Sequence, residues 1–286
     1  MKLVVKDYPG QKDIAYGTLK IVEMTMDTFL DRRPRTIRVW LPEGYDGIRR
    51  YPVLYMHDGQ NLFAGLDDRW KWYVEREMRK VPDEAQVIVV AVDTSRTRFE
   101  ELCPPWPLSD WVKERPFSAG QEPHGDWYRD FIVNQVKPFI DANFQTKPQR
   151  EYTGIGGSSM GGIESLYMFL SRPDVFGRAL CFSVATGIAE MDWILKQLDL
   201  GYDKIKNDRL YLFNGGQTAD GGNIRPTLEL YEYLVEKGMD YQQVCCIIDS
   251  REPHFESCWQ KYFADGVRYL FSEDNSVMFP PLRPQK

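Results

Sequence analysis

The run YTGIGGSSMGGIESLYMFL, residues 152–170, passes from a strand-like segment through a glycine-rich turn into a helix-like segment. At its centre Gly157-Ser158-Ser159-Met160-Gly161 reads GxSxG, the one such match in the chain. Strand before and helix after are what a nucleophile elbow requires. The turn is tight, so small residues must flank the serine; glycines at 157 and 161 let the backbone pass without a Cβ clash. Ser159 then stands at a helix N-terminus, where the backbone N–H of Met160 faces a developing oxyanion. A glycine-rich turn used only for packing is the alternative. A phosphate loop is excluded because no lysine follows the glycines, and a GxGxxG reading from Gly154 would need glycine at Ser159.

A serine hydroxyl is a weak nucleophile at neutral pH and needs a neighbouring base. The chain has three histidines, His57, His124 and His254. Chain order in such hydrolases is Ser, then Asp or Glu, then His, which selects His254. It lies in DSREPHFESCW, just past the last expected strand. His124 reads as a surface residue of the polar EPHGD loop. His57 opens MHDGQNLF after the strand VLYM, where the second oxyanion donor belongs. That donor is the backbone N–H of Gln60, with His57 and Asp58 shaping the turn. A metal site at His57 and Asp58 lacks HxH, HExxH or HxxE spacing, so neither metal nor cofactor is expected. For the acid that orients the histidine, Asp220 is the carboxylate in NGGQTADGGN after the strand RLYLF. Glu229, Asp249 or no carboxylate at all stay open.

Composition bounds the rest. The 286 residues carry 36 basic and 42 acidic side chains, a formal charge of −6. No basic stripe is present, which argues against nucleic acid and anionic membranes as partners. No stretch approaches the roughly 18 apolar residues a membrane span needs. The N-terminal apolar run, Leu3 to Val5, is too short for a signal-peptide core, so a cytoplasmic protein is expected. Five cysteines, odd in number and without CxxC, read as reduced and mostly buried thiols.

Apolar runs at 18–26, 36–41, 53–56, 87–92, 152–156, 179–184, 209–213 and 244–248 alternate with helical patterns at 70–79, 127–143, 160–170, 226–237 and 256–270. The first two runs, separated by the turn DRRPR, read as antiparallel. The continuous hydrophobicity of VLYM and VIVVAV suits a parallel sheet covered on both faces. An α/β fold follows: about eight mostly parallel strands with helices on both faces, in a single domain spanning 1–286. Residues 96–126, with five prolines and two tryptophans, form a long connection expected to be a lid or pocket wall. Trp106 and Trp111 are candidates for stacking a flat acyl group or a sugar. Arg96 and Arg98 either hold an anionic or catecholate substrate or are surface charges. The tail MFPPLRPQK has no readable role.

The segments TIRVWLPEGYD, YPVLYMHDGQNLF, FIVNQVKPFIDANF, GGSSMGGIESLYMFLSRPDVFGRALCFS and HFESCW, in this order and spacing, resemble the esterase family of α/β-hydrolases. Enterochelin esterase, esterase D and feruloyl esterase relatives belong to it. The resemblance runs from about residue 17 to about residue 271. It implies the α/β-hydrolase fold and cofactor-free hydrolysis of a small-molecule ester through an acyl-enzyme, with small acyl, feruloyl-type and siderophore-type esters as candidates. It carries the nucleophile to Ser159, the histidine to His254 and the oxyanion donors to the backbones of Met160 and Gln60. Relatives place an acidic residue soon after a strand-ending glycine, whereas this chain has GGQT before Asp220, so the acid stays open. No separate N-terminal domain like that of the larger enterochelin esterases is expected. An acyltransferase on the same scaffold and a non-catalytic binding protein are the rival readings.

Overall fold

The computed structural model describes residues 3–26, 34–65, 70–115 and 120–273. Among them nine strands form one sheet: β1 Lys6–Asp7, β2 Thr18–Thr25, β3 Pro34–Leu41, β4 Val53–Met56, β5 Ile88–Val92, β6 Thr153–Ser158, β7 Arg178–Phe182, β8 Arg209–Gln217 and β9 Val244–Pro253. Their order is β1-β2-β3-β5-β4-β6-β7-β8-β9. Strands β1, β2, β3 and β5 pair antiparallel, and from β5 through β4 to β9 every pairing is parallel. The sequence leads to about eight strands; the ninth, β1, has two residues and shows no periodicity to read. Of the turn DRRPR, Asp31 to Arg33 lie outside the described residues, as does the tail 278–286.

The helices are α1 Val74–Met78, α2 Arg98–Glu101, α3 Asp110–Lys113, α4 Gly125–Phe131, α5 Lys137–Asn143, α6 Met160–Ser171, α7 Met191–Ile205, α8 Ile224–Glu236 and α9 Glu256–Phe271. A single π-helical segment, Ile132–Val136, joins α4 to α5. Alternation along the buried strands builds two cores. Ile88, Val90 and Val92 face one side, against Phe131, Ile140, Leu166, Leu198 and Leu234 from α4 to α8. Val89 and Ala91 face the other, against Val74 and Met78 of α1 and Trp259 and Phe263 of α9. Both faces of the parallel strands are therefore covered, which is why these runs are apolar without a polar alternate. Helix α7 has no counterpart among the expected elements. Its apolar stripe is thin, with Ile194, Leu198, Gly201 and Ile205 buried, and an internal glycine weakens the helical signal.

Of residues 96–126, those at 116–119 lie outside the described residues, and much of the rest packs on the core. Phe99, Leu102, Cys103, Trp106 and Val112 are buried in the core on the α6 side, and Leu108 bridges to Ala189. Prolines hide this from a periodicity reading, because they cut the segment into pieces too short to show a repeat. All five cysteines are free thiols, four of them buried. Burial pushes the Cys103 thiol up to about 12, which leaves it unreactive at neutral pH.

Candidate active site

Strand β6 ends at Ser158 and α6 begins at Met160, so Ser159 alone makes the turn. Its backbone takes φ 58° and ψ −119°, a conformation that side-chain-bearing residues rarely adopt. The strain is held by hydrogen bonds on both sides: Ser159 N–H donates to Phe182 O at 2.9 Å, and Ala185 N–H donates to Ser159 O at 3.2 Å. A Cβ on Gly157 would stand 2.9 Å from His57 Cδ2 and 3.0 Å from the backbone of Gly161. Glycine at 157 is thus a steric requirement of the turn, as the sequence implies.

His57 fills the space behind that turn. It is buried, and its Nδ1 lies 3.1 Å from Tyr128 Oη. Burial pushes its pKa down to about 4, with Asp58 opposing the shift, so the ring is neutral at neutral pH. An unfolded histidine binds a proton below about 6.5. Between that value and about 4 the unfolded chain binds the extra proton, so stability contributed by neutral His57 is lost as pH falls through this window. At pH 5 the loss is about 2 kcal/mol. Urea midpoints at pH 7 and pH 5 check this: wild type is expected to lose more stability than His57→Gln, and equal losses would contradict it.

His254 follows β9, and its ring meets the loop after β8. Nδ1 of His254 lies 2.7 Å from Asp220 Oδ1. Asp220 is fully buried, and its second oxygen accepts from Ser183 Oγ at 2.8 Å and from Gly215 N–H at 3.1 Å. Ser183 Oγ in turn accepts from Trp259 Nε1 at 2.9 Å. His254 is fixed further by its backbone N–H, which donates to Thr218 Oγ1 at 3.0 Å, and by the edge-on Trp259 ring at 5.0 Å. A buried carboxylate with each oxygen bonded leaves the imidazole one orientation, with Nδ1 turned to the acid.

The late position of Asp220 has a structural cause. Strand β8 runs one residue past the glycines, to Gln217, while still paired with β9, with a register shift between Gly215 and Gln217. A Cβ on Gly215 would sit 2.4 Å from Glu252 O and 2.6 Å from Asp220 Oδ2. The chain then turns back through the 3-10 helix Thr218–Asn223 and returns Asp220 beneath the strand end.

Across the cavity, residues 57–61 form the turn after β4. Asp58 adopts a left-handed φ of 54°. Its carboxylate accepts from Arg98 Nε at 2.7 Å and Nη2 at 2.8 Å, and from Thr94 Oγ1 at 2.7 Å. Burial opposes its charge, yet Arg98, Thr94 and Gln60 together hold the Asp58 carboxyl below its ordinary value. The Gln60 side chain is locked to Thr94 by two bonds of 3.1 Å, and its carbonyl accepts from Lys71 Nζ. Gln60 is thus held by both side chain and backbone.

Ser159, His254 and Gln60 line one cavity of about 340 Å³ together with Asp58, Arg98, Trp70, Trp72, Phe255, Glu256 and Trp259. Trp106 and Trp111 are not among its walls. Trp106 packs edge-on against Tyr167 in a separate hollow beside α7, and Trp111 is exposed with Arg115 over its ring. The aromatic wall comes instead from Trp70, tilted against Phe255 at 4.7 Å, and from Trp72 against Trp259. Arg98 lines the cavity and pairs with Asp58, with 38% of its side chain exposed. His124 stacks on Trp127 at 3.9 Å, away from the cavity lining. Ser183, Thr218 and Trp259 carry no motif. The available signal was position, since Ser183 directly follows a parallel strand at the sheet edge where such folds gather their chemistry.

The sheet order and the strained serine between strand and helix are those of the α/β-hydrolase fold. The chain belongs to the family described as "Putative esterase", which it matches over residues 30–269, and it is an ester hydrolase. It is 22% identical over 251 residues to the uncharacterized protein YbbA of Bacillus subtilis (strain 168), covering 85% of this chain and 95% of that one. It is 26% identical over 132 residues to the ferri-bacillibactin esterase BesA of the same organism, covering 44% and 45%. Among solved structures, the enterobactin and salmochelin hydrolase IroE superposes with a TM-score of 0.64 at 16% identity, covering 92% of this chain and 98% of that one. No helix among the described residues is long and apolar enough to cross a membrane.

Proposed function

We propose that Ser159, His254 and Asp220 form a catalytic triad that hydrolyses a small carboxylic ester through an acyl-enzyme. The observation that carries this reading is the placement of Ser159, at φ 58°, in one cavity with a histidine whose Nδ1 sits 2.7 Å from a buried carboxylate. His254 Nε2 takes the Ser159 proton as the hydroxyl attacks the ester carbonyl. The backbone N–H groups of Met160 and Gln60 hold the oxyanion, and Asp220 stabilises the imidazolium. The alcohol departs with the proton, and a water activated by His254 then releases the acid.

The candidate substrates are small acyl, feruloyl-type and siderophore-type esters. Aromatic walls at Trp70 and Phe255 support a flat group, and the similarity to a ferri-bacillibactin esterase supports a siderophore-type ester. The 96–126 segment acts as a pocket wall through Arg98, within a single domain. Free, buried thiols support a cytoplasmic location.

Product analysis tests the reading. Purified protein given acetyl, feruloyl and catechol-type esters is expected to release free acid, with and without added alcohol. Acyl transfer to the added alcohol as the main outcome would favour the transferase; no turnover of any ester would favour a binding protein.

A further inference from the structure

The cavity's charges are unevenly matched. Among the described lining residues, the carboxylates and cations are Asp58, Arg98 and Glu256. Arg98 spends its guanidinium on Asp58 in a two-point pair, so this cation is already neutralised and poorly placed to receive an anionic substrate. Glu256 differs. It opens the 16-residue helix α9 two residues after His254, and it forms no ion pair and no hydrogen bond to another residue among the described ones.

Its surroundings sharpen the imbalance. Burial raises the Glu256 carboxyl from its ordinary value; its own backbone N–H, His254 and Arg98 lower it and Asp58 raises it. A half-buried carboxylate that has lost water and is bonded only by its own backbone N–H is stabilised by a cation brought to it. Phe255 and the half-exposed Trp70 beside it line the same cavity, and aromatic rings also attract cations.

We infer that Glu256 is a specificity-determining residue that makes this cavity select esters by charge, favouring cationic over neutral and neutral over anionic substrates. The inference rests on the esterase reading and narrows it: an ester bearing an ammonium group is favoured, and a polyanionic iron-loaded catecholate is disfavoured.

Three butyrate esters test it: the choline ester, its uncharged 3,3-dimethylbutyl isostere, and one whose alcohol carries a terminal carboxylate. At low salt, kcat/KM is expected to favour the cation over the anion by about tenfold or more. In Glu256→Gln the ratio should fall to within about twofold of unity, and in Glu256→Lys it should invert. Thermal midpoints identify a variant that has failed to fold, and the remaining variant then decides. A preference that survives both substitutions, or a wild type that favours the anion, overturns the inference while leaving ester hydrolysis intact. A wild type that hydrolyses none of these or any other ester overturns the esterase mechanism itself.

Discussion

Ser159→Ala is expected to lower kcat/KM for p-nitrophenyl acetate by on the order of 10⁴-fold or more, while the protein stays folded. Alanine removes the attacking oxygen and nothing that the turn depends on. The backbone bonds to Phe182 and from Ala185 use main-chain atoms, and the steric demands fall on Gly157 rather than on the serine side chain. Relief of the strain at φ 58° would come from glycine, not alanine, so stability is expected to move little. A large rate loss with an unchanged thermal midpoint separates chemistry from folding. Retention of normal hydrolysis would show that another residue attacks.

Asp220→Asn should cost on the order of 10²- to 10⁴-fold in kcat with a much smaller change in KM. Asparagine keeps the size of the group but presents an amide. With Ser183 Oγ and Gly215 N–H donating to one oxygen position, the side-chain nitrogen would face His254 Nδ1. An N–H there favours the imidazole tautomer with its proton on Nε2, which cannot take a proton from Ser159. Asp249 supplies the control. Its carboxylate is engaged by Arg251 and by Tyr262 Oη at 2.7 Å, not by His254, so Asp249→Asn should stay within about threefold of wild type. If Asp249→Asn proved the damaging change and Asp220→Asn the mild one, the acid would be misassigned.

Much of this arrangement is legible in residue order, and the reasons are physical. The elbow is readable because only small residues tolerate its crowding, which forces glycines around Ser159. The buried strands are readable because both faces are covered, which forces runs such as VIVVAV. His254 stands out because one histidine follows the serine. Asp220 was harder: its distance from the strand end depends on the shifted β8–β9 register and the 3-10 turn, and neither leaves a periodic trace. The tryptophans show the limit of composition. Trp106 is aromatic for the core, whereas Trp70 and Trp72, expected within a helix at 70–79, lie just ahead of α1, which begins at Val74, and reach the cavity from there. Arg98 and Asp58 are 40 residues apart in sequence, and their pairing exists only because β4 and β5 are neighbours in the sheet.

The central claim is that Ser159 is the nucleophile and that His254 activates it. Peptide mapping after a stoichiometric fluorophosphonate probe tests this most directly. One adduct per chain on the peptide containing Ser159, with labelling strongly slowed in His254→Ala, is the predicted result. An adduct on a different residue, or an unlabelled wild type that still hydrolyses esters, would contradict it.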